Sequence, residues 1–202
     1  MTMELFSTLI YVHQTCFEDY DVVQKEAHWL LKKVNEKGFS KHPGWERDTH
    51  SLSDPTFNEN ILKNYRCYKI QNKINQCVSD YLKQLHHGNQ TIAGYNITNS
   101  WLTNTAPGEY ARLHHHSTAD ISGVYYIKSN INTSGNLYFQ NHDPIKSSTL
   151  LTKMLPIQHD IPPATGLLVL FPGWLLHGTR ANQDSDERIS LSFNIKLSQK
   201  NA

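Results

Sequence analysis

The 202-residue sequence has few cysteines, almost no net charge and only a short apolar run near its N-terminus. Cys16, Cys67 and Cys77 are an odd number without a CxxC pair, which favours neither a disulfide framework nor a cysteine zinc site. The run LFSTLIYV is too short to cross a bilayer, and it lacks the basic flank and cleavage site of a secretory signal. The formal net charge of +1 gives no overall field that would attract nucleic acid or an anionic membrane. We therefore expect a cytoplasmic protein that binds neither.

The sequence is rich in histidine, with twelve such residues, which points to metal or proton chemistry without locating it. Hydrophobic residues make up 38% and charged residues 18% of the chain, values typical of a globular protein rather than a disordered one. A chain of this length can bury a substantial core, and we expect one domain spanning residues 1–202.

The first part of the chain has helical periodicity. Apolar residues recur at helical spacing between Asp21 and Lys37, before Gly38, which predicts a first helix there. A second apolar stripe predicts a helix from about Asn60 to Leu85. The residues between them, 37–57, carry Gly, Pro, Ser and Asp without periodicity and predict a long loop.

After Gly88 the pattern changes to short β-branched and aromatic segments separated by turn residues. The last of them alternates: Ile189, Leu191 and Phe193 face one way, while Ser190 and Ser192 face the other. Many short consecutive strands indicate a sandwich, barrel or jelly roll. We therefore predict an α+β, mainly β fold, with a helical N-terminal part over residues 1–88 and a double-stranded β-helix (jelly roll) core over residues 89–202.

Three consecutive histidines, His114 to His116, precede one of the predicted strands. In an extended chain, residues i and i+2 share a face about 6.5 Å apart, so His114 and His116 can converge on one ion while His115 points away. His177 follows the apolar segment 166–171 and supplies a third imidazole. Three such ligands leave coordination positions open, which suits a catalytic metal. The alternative is a solvated polar strand edge without a metal.

Arg188 begins the alternating segment, eleven residues after His177, and shares a face with Ser190. A buried arginine is costly unless it meets an anion, and its forked guanidinium suits a carboxylate. The alternative is a local ion pair with Asp184, Asp186 or Glu187.

These features occur in an order that resembles the Fe(II)/2-oxoglutarate-dependent dioxygenase superfamily, over roughly residues 94–198. In order along the chain they are His114-His115-His116, SGVYYI, GNLYF, His177 and Arg188-Ile189-Ser190. The pattern HxH…SGVYY…LVLFP…H…R is most similar to an uncharacterised group of 2OG-Fe(II) oxygenases, whose N-terminal region also resembles the Gly44-Trp45 pair. The resemblance implies Fe(II) as cofactor and 2-oxoglutarate as cosubstrate.

The resemblance also implies roles for individual residues. His114 and His177 correspond to iron ligands, and Arg188, Tyr126 and Ser190 to residues that hold the distal carboxylate of 2-oxoglutarate. The superfamily's middle ligand is usually a carboxylate, whereas this sequence has His116 at that place. Strand geometry and the HxH pattern favour His116 as the metal ligand, and Asp120 is the alternative second ligand if the chain folds back.

The implied function is an oxygenase that hydroxylates a C–H bond of a peptidyl or small amino-acid-like substrate, because prolyl hydroxylases have a similar tyrosine and arginine pair. Its partners would be 2-oxoglutarate, dioxygen and an unidentified substrate, which the loops over residues 41–57 and 141–163 are placed to meet. Two other functions remain open. One is a cupin-like three-histidine dioxygenase without 2-oxoglutarate, and the other is a non-catalytic jelly-roll binding protein. The sequence leaves the oligomeric state open.

Overall fold

The structure, a computed structural model, describes residues 7–15, 17–41, 50–53, 59–85, 92–141 and 157–199. Over these residues the helices are α1 (Phe17–Asn35), α2 (Ile61–Asn64) and α3 (Tyr68–Leu85). The strands are β1 (Tyr11–Gln14), β2 (Ser51–Leu52), β3 (Ile92–Thr105), β4 (Ile121–Lys128), β5 (Leu137–Gln140), β6 (Gln158–Ile161), β7 (Leu167–Pro172), β8 (His177–Thr179) and β9 (Arg188–Gln199). The Gly44-Trp45 pair and most residues of the two predicted substrate loops lie outside the described residues.

The described strands form a six-stranded sheet in the order β1-β7-β4-β9-β3-β2 and a three-stranded sheet in the order β6-β5-β8. All strand pairings within them are antiparallel. The predicted mainly β architecture with a helical layer is thus confirmed. The structure of the boundary at residues 88 and 89 lies outside the described part of the chain.

The predicted alternation along β9 is confirmed. Ile189, Leu191, Phe193 and Ile195 are at most 1% exposed and belong to the larger core cluster, together with residues of α1 and α3. A smaller cluster, which includes Val124, Tyr126, Leu137, Phe139 and Phe171, joins β4 and β7 of the large sheet to β5 of the small one. The large sheet therefore has helices on one face and the small sheet on the other.

Gly123 on β4 leaves room for the Phe193 ring of β9 on the helical side of the sheet. A Cβ atom at this position would lie 2.3 Å from the Phe193 ring, and the two residues are register partners across the sheet. A side chain at residue 123 would displace the Phe193 ring from the core.

The first predicted helix is confirmed, although α1 begins at Phe17 rather than Asp21. The single helix predicted over residues 60–85 is wrong, because the chain forms α2 and α3 with a break at Arg66. Arg66 has a left-handed φ of 55°, and the following N–H, of Cys67, donates to the Leu62 carbonyl at 2.9 Å. This arrangement caps and ends α2. Apolar periodicity could not reveal the break, because the buried stripe continues across it.

Four short strands, β1, β2, β6 and β8, were not predicted from the sequence. They have between two and four residues, too few for a period-two pattern to stand out. One of them, β2, lies within the predicted loop over residues 37–57, where it pairs with β3. Within the described part of the chain, no helix combines the length and apolar character needed to cross a membrane.

Candidate active site

A pocket between the two sheets contains the predicted site residues. The pocket side of β4 supplies Ser122 and Tyr126, and that of β9 supplies Arg188, Ser190 and Asn194. The three histidines complete the lining: His114, His116 and His177. The polar face of each strand is therefore the face that lines the pocket.

The structure brings His114, His116 and His177 together. One potential ligand atom from each lies within 4.8 Å of the other two. His177 is the first residue of β8, and its N–H and carbonyl exchange two 2.9 Å hydrogen bonds with those of His114. The His116 N–H donates to the Gly173 carbonyl at 2.8 Å. Main-chain contacts thus fix all three residues around one point.

His115 is exposed to solvent, whereas its neighbours His114 and His116 are partly buried. The three consecutive histidines precede β4, and the isolated bridge between His114 and His177 gives this segment its extended geometry. The greater exposure of His115 therefore follows from the local pairing of this segment with β8, because the segment is not part of a long strand.

Two of the imidazoles have a defined tautomer. His114 Nδ1 lies 2.7 Å from the Arg112 carbonyl oxygen, and His177 Nδ1 lies 2.8 Å from the Leu175 carbonyl oxygen. Because a carbonyl can only accept, each Nδ1 carries the proton and donates it. The lone pair of each ring is then on Nε2, the arrangement found in metal-ligating histidines.

His116 and His177 lie in an environment that keeps them neutral. Burial, together with the charges of His114 and His115, lowers the pKa of His116 to about 3. Burial also places the pKa of His177 well below its ordinary value. The Phe171 ring, centred 4.6 Å from that of His177, contributes to the apolar surroundings. Neutral imidazoles are the form that binds a metal ion.

Asp120, the alternative second ligand, points elsewhere. Its carboxylate accepts hydrogen bonds from the Leu197 N–H at 2.8 Å and from Lys196 Nζ at 3.1 Å, both on β9. Among the described residues, the group that could hold a metal ion consists of three histidines without a carboxylate. The geometry therefore favours His116 over Asp120.

Arg188 is buried, with 2% of its surface exposed. Its guanidinium donates to four acceptors: the Ser134 carbonyl at 2.8 Å, the Gly135 carbonyl at 2.6 Å, Thr105 Oγ1 at 3.2 Å and Thr179 Oγ1 at 2.9 Å. Gly135 has a φ of +79°, and a Cβ there would lie 2.3 Å from the Arg180 carbonyl oxygen, so this turn requires glycine.

The alternative that Arg188 pairs with a nearby acid is wrong. Asp184 accepts a hydrogen bond from Thr133. Asp186 and Glu187 instead form ion pairs with Lys128, and no ion pair between Arg188 and a carboxylate occurs within the described ranges. The Arg188 charge is consequently buried against neutral acceptors alone, and burial lowers its pKa.

The buried Tyr126 hydroxyl has no hydrogen-bond partner among the described residues, and neither does Arg188 Nε. Burial raises the pKa of Tyr126, so its hydroxyl stays protonated and can donate. Tyr126 pairs across the sheet with Ser190, which lines the same pocket. An unsatisfied buried polar group costs about 1–3 kcal/mol. An anion with several acceptor oxygens would satisfy these groups together.

Sequence reasoning missed several residues of this site. Thr105, Thr179 and Ser134 contact Arg188 from segments far apart in the sequence, and no local pattern marks them. Ser122 and Asn194 had a signal, because both lie on the polar faces of predicted strands. Without the register between those strands, their contact with each other could not be foreseen.

Residues 99–194 match the model of a family described as "Putative 2OG-Fe(II) oxygenase". The matched segment contains all three histidines, Tyr126, Arg188 and Ser190. No curated protein matches the chain.

Several solved structures share the fold. A Pseudomonas putida prolyl-4-hydroxylase is 16% identical over 98% of this chain and 96% of its own, with a TM-score of 0.61. A Trichoplax adhaerens prolyl hydroxylase, in complex with a hypoxia inducible factor peptide fragment, is 14% identical over 95% and 84%, with a TM-score of 0.61. HygX from Streptomyces hygroscopicus, with nickel and 2-oxoglutarate bound, is 11% identical over 93% and 82%, also with a TM-score of 0.61.

The family match argues against both a non-catalytic binding protein and a dioxygenase that works without 2-oxoglutarate. The motif order, the pocket and this match lead to one assignment. Over residues 99–194 the chain matches the 2OG-Fe(II) oxygenases, enzymes that use Fe(II) as cofactor and 2-oxoglutarate and dioxygen as cosubstrates.

Proposed function

We propose that this oxygenase hydroxylates a C–H bond of a peptidyl or small amino-acid-like substrate. Its iron would be held by His114, His116 and His177, and its 2-oxoglutarate by Arg188, Tyr126 and Ser190. The observation that carries the proposal is the meeting, in one pocket, of three clustered imidazoles and a buried arginine without a carboxylate partner.

The histidine cluster fits a divalent transition metal. Imidazole nitrogens suit iron, and three of them leave positions open for exchangeable ligands. Burial keeps His116 and His177 deprotonated, so metal binding does not have to displace a proton from them at neutral pH. The carbonyls of Arg112 and Leu175 hold two of the rings in the orientation that binding needs.

The polar end of the pocket fits a dicarboxylate such as 2-oxoglutarate. Thr105 and Thr179 hold one guanidinium nitrogen of Arg188, and the Ser134 and Gly135 carbonyls hold the other. This arrangement fixes the plane of the guanidinium before the ligand arrives. Among the described residues, the Arg188 Nε–H and the Tyr126 hydroxyl have no hydrogen-bond partner, and the distal carboxylate would accept hydrogen bonds from both.

The bound iron and cosubstrate would supply the oxidising power, drawn from dioxygen and from the conversion of 2-oxoglutarate to succinate and carbon dioxide. The chain positions the reactants and excludes water. The Phe139 and Phe171 rings lie against His177 and shield that side of the cluster. Water exclusion strengthens the electrostatic interactions of the site and protects a reactive centre from side reactions.

The proposed scaffold is a double-stranded β-helix formed by the two sheets, with residues 1–202 as one domain. Packing supports a single domain, because one core cluster contains Val23 and Ile74 from the helices together with Leu191 from β9.

The proposed substrate class rests on the likeness to two prolyl hydroxylases, one of them in complex with a peptide. At 14–16% identity these structures share the fold, so the class is the part of the proposal that most needs an experiment. His50 and Trp101 line the same pocket and would contact a substrate near the histidines.

Succinate release in the presence of Fe(II) and 2-oxoglutarate, with and without peptide and metabolite libraries, tests the proposal. We expect turnover that a subset of peptides or amino acids stimulates, with a matching gain of one oxygen atom in the stimulating compound. Arg188→Ala should lose the turnover, whereas Arg180→Ala, which removes an arginine paired with Asp160 at the surface, should keep it. A succinate yield that is the same in Arg188→Ala as in the wild type would contradict the cosubstrate assignment.

A further inference from the structure

His116 differs from the other two clustered histidines in what holds its ring. His114 and His177 each donate Nδ1–H to a main-chain carbonyl two residues earlier in the chain. His116 instead places Nδ1 at 3.4 Å from the side-chain amide of Asn194, on β9. The ring that stands where the family usually has a carboxylate therefore depends on another side chain for its orientation.

Asn194 is itself held in place. It is 6% exposed and is the register partner of Ser122, whose Oγ lies 2.8 Å from Asn194 Oδ1. Thr98 Oγ1 donates to the Asn194 main-chain carbonyl at 3.3 Å. The amide thus lies between the Ser122 hydroxyl and the His116 ring, and the side chains form a chain of contacts that leads from β4 through β9 to the histidine cluster.

The direction of these hydrogen bonds decides whether His116 can bind a metal. In the structure, the Asn194 NH₂ group faces Nδ1, which would then have to accept and leave the proton on Nε2. A metal on Nε2 requires the opposite tautomer, with the proton on Nδ1. Rotating the amide by half a turn places Oδ1 towards Nδ1–H and Nδ2 towards Ser122 Oγ, which can accept. The amide has almost the same shape in both orientations.

We infer that Asn194 is a positioning residue for His116: in the metal-bound protein its Oδ1 accepts Nδ1–H, and its Nδ2 donates to Ser122 Oγ, which holds the amide beside the ring. The inference rests on the proposed metal site and adds a residue to it. Partners of this kind typically change metal affinity by about 10–100-fold. Asn194 would thereby give His116 a hydrogen-bond acceptor for Nδ1–H, as the Arg112 and Leu175 carbonyls do for His114 and His177.

The test uses Co(II)-loaded protein and its proton NMR spectrum in H₂O and D₂O. Bound Co(II) shifts the ring N–H signals of its ligands outside the ordinary range, and these signals disappear in D₂O. The wild type should show three of them. Asn194→Ala should lose the His116 signal selectively through faster exchange with solvent, and it should bind Co(II) about 10–100-fold more weakly.

Two further variants separate positioning from a purely structural role. Asn194→Asp can only accept, so it should retain three exchangeable signals and an affinity close to that of the wild type. Ser122→Ala removes the anchor of the amide and should weaken binding by less than Asn194→Ala does. Asn72→Ala, an exposed asparagine on α3, is the matched control and should leave signals and affinity unchanged.

The outcomes distinguish the inference from the proposed site. If the wild type binds no Co(II), or shows fewer than three shifted ring N–H signals, the three-histidine site fails and the inference with it. If the wild type shows three signals but Asn194→Ala and Ser122→Ala keep them all at unchanged affinity, only the role of Asn194 is overturned. Loss of the His116 signal in Asn194→Asp as well would also contradict it, because the aspartate preserves the acceptor.

Discussion

The two faces of β9 carry different chemistry on one strand. Alternate residues Ile189, Leu191 and Phe193 are almost fully buried against the helices, and together they form a dry apolar core. On the other face, Arg188, Ser190 and Asn194 are also more than nine-tenths buried, yet they line the pocket. The two faces of β9 are therefore buried to a similar extent, and they differ in the polarity of their side chains.

The difference lies in how each face satisfies its buried groups. The apolar face needs only close packing, and neighbouring side chains provide it. Within the described part of the chain, the polar face leaves Arg188 without a carboxylate and the Tyr126 hydroxyl of the neighbouring β4 without a partner. Buried polar groups of this kind are expensive, so their persistence on one face indicates a site shaped for a ligand. Substitutions on the polar face should therefore weaken ligand binding, whereas substitutions on the apolar face should lower stability.

The largest expected effect is on metal binding. His177→Ala removes one of three clustered imidazoles and should weaken Fe(II) or Co(II) binding by more than about 100-fold, beyond the loss of a supporting partner alone. Anaerobic titration calorimetry measures this. His115→Ala is the matched control, because His115 is an exposed neighbour that does not belong to the histidine cluster. Equal affinities in the two variants would contradict the three-histidine site.

The next effect is on 2-oxoglutarate. Arg188→Ala should weaken its binding by about 100-fold or more, since removing one partner of a buried charge pair costs about 3–5 kcal/mol. Arg188→Lys should recover only part of the loss, because it keeps the charge but not the fork. Binding to the metal-loaded protein and the KM for 2-oxoglutarate measure this. The assignment would be wrong if both variants bound 2-oxoglutarate as the wild type does.

On the apolar face, the expected effect is on stability alone. Leu191→Ala should lower the free energy of unfolding by about 2–5 kcal/mol, because it opens a cavity in a fully buried part of the core. Urea unfolding measures the loss, and 2-oxoglutarate affinity of the folded variant should stay close to that of the wild type. A fall in that affinity comparable to the fall in Arg188→Ala would mean that the two faces are not independent.

A smaller effect is expected from pH on the metal-free protein. The folded-state pKa of His116, about 3, lies below its ordinary value of 6.5, so the unfolded chain binds more protons between these pH values. The free energy of unfolding should therefore fall as the pH drops from about 6.5 towards 3, by up to about 1.4 kcal/mol per pH unit for each such histidine.

Urea unfolding at several pH values with a chelator present measures this slope. His177 has its pKa lowered in the same direction and adds to it. His116→Gln should show a shallower slope than the wild type over the same range. Identical slopes would show that His116 is protonated in the folded, metal-free protein.

The smallest effect is expected at Asp120. Its carboxylate pairs with the exposed Lys196 and accepts from the Leu197 N–H, so Asp120→Asn should change stability by about 1 kcal/mol or less. Co(II) affinity should not change. A tenfold loss of affinity, with folding intact, would instead place Asp120 on the metal.

The spacing of apolar residues along the sequence predicted the longer helices and strands, because one face of each is buried. The two-residue repeat of β9 placed Ile189 and Ser190 on opposite faces, and the helical repeat located α1. The break at Arg66 was missed because the apolar stripe continues through it, while a left-handed residue leaves no mark in such a pattern. The strand β8 was missed because three residues, His177–Thr179, are too few to show a period.

The candidate site was predictable where the residue type itself carries the chemistry. The sequence alone shows two histidines spaced two residues apart, His114 and His116, and an arginine at the start of a predicted strand, Arg188. The supporting contacts were not, because they join residues far apart in the chain. Thr105 meets Arg188 across 83 positions and Ser122 meets Asn194 across 72, and strand register alone brings them together.

Anaerobic titration of the protein with Fe(II) and then 2-oxoglutarate tests the central claim most directly. If three histidines hold the metal and Arg188 holds the distal carboxylate, a visible charge-transfer band should appear only when both ligands are present, at one equivalent of each. His116→Ala and Arg188→Ala should both weaken the band, whereas Asp120→Asn should leave it unchanged. Stoichiometric Fe(II) binding with no band on addition of saturating 2-oxoglutarate would contradict the account.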